Sequence, residues 1–174
     1  MLEPLNPGEW TEFFLSVAAA AAVLTGLIVV GLSIHAEFIA QSLTHRSHAR
    51  ATLVVLTAAM VIGLVVIAPQ TTEWLGWELL LISLGFAAIN TYNNARAMRG
   101  TGRRLPRDAW VRIGIGYAIA ACGVIGGISI AALDGQGGGL YWIAVETLAA
   151  LVWAIAGAWR FLIGVTDEKR ADLP

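Results

Sequence analysis

The first long apolar run of the chain is Trp10–His35, which reads WTEFFLSVAAAAAVLTGLIVVGLSIH. It contains one acidic residue, Glu12, and no lysine or arginine. As an α-helix the run would extend about 39 Å, more than the roughly 30 Å of a hydrocarbon core. It has no basic leading region and exceeds the apolar core of a signal peptide, so we interpret it as a retained membrane-spanning helix.

Four further apolar runs follow, and no proline interrupts any of the five. Each is long enough to cross a bilayer as a helix. A backbone inside lipid must satisfy its own hydrogen bonds, and these unalternating runs suit helices rather than barrel strands. The sequence therefore predicts an all-α, polytopic membrane bundle that forms a single domain, 1–174, with helices at approximately 10–35, 51–68, 74–95, 109–133 and 140–163.

The composition favours a lipid environment for the whole chain. Hydrophobic residues make up 57% of it and charged residues 13%, and the mean hydropathy is +0.72. This is more apolar surface than a soluble core of 174 residues would bury. The single cysteine, Cys122, lies within an apolar run and excludes both an intramolecular disulfide and a cysteine metal site.

The basic residues predict the orientation of the five helices. All eleven lysines and arginines lie in or beside the first and third connections or near the carboxyl terminus, whereas the other connections carry acidic residues such as Glu73 and Asp134. The positive-inside rule places the basic side in the cytoplasm, so the amino terminus is expected outside and the carboxyl terminus in the cytoplasm. Four or six spans would put basic connections on both sides.

Glu146 is the deepest acidic residue of the predicted spans, about 9 Å inside the start of the fifth. A carboxylate facing lipid is costly, so this one needs a partner, a proton or water. Trp142, Ala150 and Trp153 share its helical face, which we expect to turn away from lipid. Two interpretations stay open, an ion or proton path and a structural, hydrogen-bonded or neutral Glu. Neighbouring hydroxyls such as Thr147, or water, are the expected partners.

Polar residues in other runs extend the set of ion-path candidates. Ser83, Asn90 and Asn94 follow helical spacing in the third run, where such residues either hydrogen-bond between helices or line a polar pathway. Glu78 is shallower than Glu146, and Thr25 lies in the first run. The complete set of pore or ion-path candidates is Glu146, Glu78, Asn90, Asn94, Ser83 and Thr25.

Small residues form one stripe along the fourth run and another along the first. The stripes are Gly116, Ala120, Gly123 and Gly127 in the fourth run, and Ala18, Ala22 and Gly26 in the first. Such faces let helices approach closely, either within one subunit or between subunits. They suggest a homo-oligomer among the partners of the chain, beside the lipid bilayer itself.

The sequence carries no motif that assigns catalysis, a metal or a cofactor. Four potential metal ligands lie in and around the first basic connection: His35, Glu37, His45 and His48. Their spacing matches no established ligand pattern, so we assign no metal site. The arginines are interpreted as topology signals and lipid-headgroup contacts rather than a nucleic-acid surface. We expect a non-enzymatic protein without a cofactor.

The opening of the chain carries a family resemblance. Its segments Trp10-Thr-Glu-Phe-Phe14, Ala22-Val-Leu-Thr-Gly-Leu27 and Gly31-Leu-Ser-Ile34 resemble a group of small uncharacterised bacterial integral membrane proteins. The resemblance implies a multi-pass protein of the bacterial cytoplasmic (inner) membrane and brings no activity with it.

Two hypotheses for the function follow. The first is an oligomeric ion channel or small-solute pore lined by the polar faces of helices 1, 3 and 5. The alternative is a non-enzymatic accessory or regulatory subunit of a larger membrane complex. Because the chain shows no duplicated half, an inverted-repeat transporter is disfavoured. A membrane enzyme ranks below both because no catalytic groups converge.

Overall fold

The computed structural model describes residues 7–34, 36, 43–101, 107–133 and 138–171, with side chains in 8–34, 36, 49–95, 110–133 and 138–159. Its elements in these ranges are helices: α1 Pro7–Ile34, α2 Leu43–Ile67, α3 Thr72–Thr101, α4 Arg107–Ala132 and α5 Gly139–Ala171. The stretches long and apolar enough to cross a membrane are Gly8–Ile34, Ala49–Ile67, Thr72–Ala95, Trp110–Ala132 and Gly139–Trp159. The predicted all-α fold with five spans is confirmed, and the protein is a multi-pass membrane protein.

Several helices run beyond their apolar segments. α2 begins at Leu43 rather than near residue 51, and α3 continues to Thr101 beyond the predicted residue 95. Apolar composition marks where a helix meets lipid, whereas the hydrogen-bonded backbone can continue into the polar region beyond it. Pro69 follows the end of α2, as expected because proline lacks an N–H and disfavours a helical conformation in the residue before it.

The helices pack in two close pairs with α5 between them. α1 lies against α2, α3 lies against α4, and α5 contacts α1, α2 and α4. Within the described residues, no Cα atom of α3 lies within 8 Å of one in α1 or α5. Any contact between α3 and α5 therefore depends on side chains rather than on close backbones.

Buried apolar side chains form two clusters along the bundle. The first joins the amino-terminal half of α1 to the adjoining ends of the other helices, with Phe14, Leu79 and Ile143 at its centre. The second includes Ala21, Leu56 and other residues of α1, α2, α4 and α5. Many large apolar side chains point outward instead, as expected for a bundle whose solvent is lipid. The side chains of the two clusters hold the five helices together.

The small-residue stripe of α4 faces α3 and α5 inside one subunit. A Cβ atom added at Gly127 would lie 2.8 Å from the backbone nitrogen of Leu80, and one at Gly116 would lie 2.7 Å from Nδ2 of Asn90. Ala120 on the same stripe is buried. Antiparallel helices can approach this closely only where one of them lacks a side chain.

The stripe of α1 behaves differently. Ala18 is buried against α2. A Cβ atom added at Gly63 of that helix would lie 3.0 Å from the Cβ atom of Ala18. Ala22 and Gly26 are exposed, and a Cβ atom at Gly26 would meet nothing within 4 Å. Packing inside the subunit therefore uses Ala18 alone of the three, and a role for the other two between subunits stays a prediction.

Candidate functional site

The side chain of Glu146 is enclosed within the bundle. It is 2% exposed, and it lies on α5 about 10 Å beyond Gly139 at the usual helical rise. The hydroxyl of Ser83 on α3, itself fully buried, donates to the carboxylate at 3.0 Å from Oε1 and 3.2 Å from Oε2. A hydroxyl has only one hydrogen, so the two carboxylate oxygens share a single donor.

Gly123 of α4 makes this contact between distant helices possible. A Cβ atom at Gly123 would collide with both carboxylate oxygens of Glu146 and with Oγ of Ser83. The hydrogen bond therefore passes over the face of α4 at Gly123, where the absence of a Cβ atom leaves room for it. We call Glu146, Ser83 and Gly123 the Glu146 junction.

The partner of Glu146 differs from the one expected. The hydroxyl of Thr147 lies 3.0 Å from the carbonyl oxygens of Ile143 and Ala144 in its own helix, so it donates to the backbone. Hydroxyls inside helices commonly bond back to the preceding turn in this way. The prediction of Thr147 as the partner of Glu146 was wrong. The partner is Ser83, which lies 63 positions away in the sequence.

The predicted face of α5 turns inward over most of its length. Ala150 is 7% exposed and Trp153 is half-buried, whereas Trp142 near the helix start is 40% exposed. A tryptophan at the end of a span is common because its ring suits the membrane interface.

The Glu146 junction has apolar surroundings. Leu79 and Ile143 are each one helical turn from a junction residue and belong to the first apolar cluster. Ile119 and Ala150, one turn away in the other direction, belong to the second. A carboxylate has about four sites that accept hydrogen bonds, and the described residues supply one donor for them, Ser83. A bare anion would be strongly disfavoured here, and a bound proton or cation would relieve that cost.

Asn90 and Asn94 form a second polar group on α3. Nδ2 of Asn94 lies 3.3 Å from Oδ1 of Asn90, to which it donates. Nδ2 of Asn90 is buried against Gly116 and has no hydrogen-bond partner among the described residues. Asn90 thus lies at the contact between α3 and α4 rather than on an open surface.

Thr25 and Glu78 stand apart from the Glu146 junction. Thr25 donates to the carbonyl oxygen of Ala21 at 2.7 Å within α1, and no described Cα atom of α1 lies within 8 Å of one in α3. Glu78 is exposed on α3. The structure thus brings candidates from helices 3 and 5 together and adds helix 4, while the candidate from helix 1 bonds within its own helix.

Three polar residues at helix contacts were missed by the sequence reasoning. The hydroxyl of Ser129 is 5% exposed and has no hydrogen-bond partner in the described part of the chain. Thr91 and Tyr117 join α3 to α4 through hydroxyl oxygens 2.8 Å apart. Ser129 lies three residues after Gly126 in α4, which was an available signal because residues at that spacing share a helical face. The Thr91–Tyr117 pair depends on the register between α3 and α4, and no signal in the sequence indicated it.

The four potential metal ligands fall largely outside the described structure. His35 and Glu37 lie outside the described residues, and His45 and His48 belong to α2 with side chains outside them. Within the described part of the chain, no group of three or more His, Cys, Asp or Glu residues is arranged to hold a metal ion.

Comparison of the chain with known protein families, curated proteins and solved structures finds no match. The functional argument therefore depends on the geometry of the Glu146 junction.

Proposed function

We propose that the chain forms an oligomeric membrane protein that conducts protons or a small cation, with Glu146 as the group that binds the ion on its way. One observation supports this above the others. The carboxylate is enclosed inside a membrane-spanning bundle, and among the described residues a single hydroxyl donates to it. Ionisable groups in such positions are rare, and they characteristically serve ion or proton pathways.

A proton fits the Glu146 junction better than a metal cation. Hard cations take six or more oxygen ligands, and the junction supplies two carboxylate oxygens and one hydroxyl. A proton needs only one oxygen, and the neutral acid it produces is the cheaper species in an apolar site. We therefore place protons first among the candidate ions and monovalent cations second.

The proposed path requires the Glu146 junction to open. One shared hydrogen bond joins α3 to α5, whose backbones are not in direct contact. Breaking that bond would let water reach the carboxyl group without separating the α3–α4 or α4–α5 pairs. With the amino terminus outside a bacterial cytoplasmic membrane, Glu146 would lie nearer the external face and act as an outer gate.

The test is proton flux in liposomes with the purified protein and a pH-sensitive dye inside. A potassium gradient with valinomycin supplies the driving potential. We expect flux from the wild type, flux near background from Glu146→Gln, and wild-type flux from Glu78→Gln. The control removes a carboxylate that is exposed on α3 and belongs to no junction.

A wild-type protein that passes neither protons nor Na⁺ or K⁺ at any pH or voltage would overturn the proposal. Equal flux from wild type and Glu146→Gln, with both folded, would remove Glu146 from the path.

An accessory subunit of a larger membrane complex is the second candidate function. The observation that favours it is the outer face of α1, where Ala22 and Gly26 are exposed and leave room for another helix. This candidate predicts no flux from the purified protein. It also predicts that a defined complex copurifies with the wild type and is lost with Gly26→Leu.

A further inference from the structure

A cavity of about 140 Å³ lies at the opposite end of the bundle from Glu146. It is bounded by the last turns of α1, by the start of the apolar stretch of α2 and by Ala158 of α5. The proposed ion path does not use it. The cavity therefore belongs to a different part of the protein from the Glu146 junction.

Small residues create the cavity. Gly31 and Ala49 line it together with Ala158, and a Cβ atom at Gly31 would meet nothing within 4 Å. Leu27, another wall residue, is 64% exposed, so the cavity reaches the surface of the bundle. A ligand would enter from the lipid side.

The lining of the cavity favours an apolar ligand. Thr52 is the only lining residue with a polar side chain among those the structure describes, and the others are Leu, Ile, Ala and Gly. An apolar cavity of about this size in a soluble protein stays dry and takes up benzene. In a membrane the apolar ligand at hand is the acyl chain of a lipid.

Basic residues beside the cavity indicate which kind of lipid headgroup would bind there. Arg50 follows Ala49 in α2, and its side chain is exposed. Arg46 lies one turn earlier in the same helix. Arginine suits a phosphate group geometrically, and basic residues at the edge of a span attract anionic lipids.

We propose that this cavity binds one acyl chain of an anionic phospholipid, with the phosphate headgroup held at Arg50. The bound chain would fill the space between α1, α2 and α5, where the protein itself supplies only small side chains. The site is independent of the ion path, and each stands if the other fails.

Native mass spectrometry of delipidated protein in detergent tests the proposal. Phosphatidylglycerol and phosphatidylethanolamine with the same acyl chains are added separately. We expect the wild type to bind one phosphatidylglycerol in preference to phosphatidylethanolamine. Gly31→Leu fills the cavity and should weaken phosphatidylglycerol binding about tenfold, because it excludes about two methylene groups from an apolar site.

The matched control is Gly26→Leu on the same helix. A Cβ atom there also meets nothing within 4 Å, but Gly26 does not line the cavity. It should bind lipid as the wild type does. Ala49→Leu is a second variant that fills the cavity, for use if Gly31→Leu does not fold.

Arg50→Gln tests the headgroup contact separately. We expect the preference for phosphatidylglycerol to fall about fivefold, because a basic residue near the membrane surface contributes attraction of that size. Equal wild-type binding of the two lipids would overturn the anionic assignment. Undiminished phosphatidylglycerol binding by folded Gly31→Leu and Ala49→Leu would overturn the cavity as the site.

Discussion

At the scale of single residues, Glu146 shows how a carboxyl group is accommodated between membrane helices. Its helix turns it inward, Gly123 leaves the room, and Ser83 supplies one hydrogen bond. None of the three suffices alone, because a carboxyl group without a donor is poorly solvated and a larger residue at position 123 would displace it.

Ser83→Ala should destabilise the protein by about 1–3 kcal/mol, since it leaves a buried acceptor without its donor. Ser16→Ala is the control, because Ser16 is exposed and donates to the carbonyl oxygen of Glu12 in its own helix at 2.8 Å. Its effect should stay within about 0.5 kcal/mol. The measurement is unfolding in detergent followed by circular dichroism. Equal losses from the two variants would contradict the role given to the junction bond.

At the scale of elements, α3 and α4 form a closely packed antiparallel pair. A Cβ atom at Gly76 would lie 2.6 Å from the backbone Cα of Ala131, and one at Gly127 would lie 2.8 Å from the backbone nitrogen of Leu80. The neighbours are main-chain atoms, which cannot move aside as a flexible side chain can. The same register sets Ser83 opposite Gly123, so the packing of this pair positions the Glu146 junction.

Two glycines of α3 provide the test of this packing. Gly76→Ala should cost about 1–3 kcal/mol of stability, because overpacking forces the α3 and α4 backbones apart. Gly85→Ala on the same helix meets nothing within 4 Å, and it should be neutral or stabilise by up to about 1 kcal/mol through helix propensity. Thermal unfolding in detergent measures both. A stable Gly76→Ala variant would mean that the helices are less closely packed than described.

At the scale of the whole molecule, the distribution of charge predicts the orientation in the membrane. Five spans put the connection after α3 and the connection after α4 on opposite sides. All eleven basic residues fall on the side of the first of these. The positive-inside rule assigns that side to the cytoplasm.

Single cysteines at two positions in a Cys122→Ala background test this orientation. A membrane-impermeant maleimide should label Gln136→Cys on intact cells and Gly102→Cys only after permeabilisation. Labelling of Gly102→Cys from outside would reverse the assigned orientation. Labelling of both from one side would contradict the five-span topology.

The sequence by itself determined the fold class and the number of helices. Apolar runs long enough to cross the bilayer, with no proline inside any of them, favour spanning helices over strands. It also singled out Glu146, because a carboxylate inside such a run stands out by position alone. The helix ends beyond the apolar runs were not predictable, since apolarity reports contact with lipid and not the end of a backbone hydrogen-bond pattern.

Only the tertiary structure decided which polar residues meet. Ser83 and Thr147 are both hydroxyl residues inside spans, and the sequence favoured Thr147 as the neighbour of Glu146 in the chain. Helix rotation and the glycine contact between α3 and α4 selected Ser83 instead. The small-residue stripes of α1 and α4 look alike in sequence, but only the α4 stripe packs inside the subunit along its whole length. Composition sets what a face can pack against, and the arrangement of all five helices sets what it does pack against.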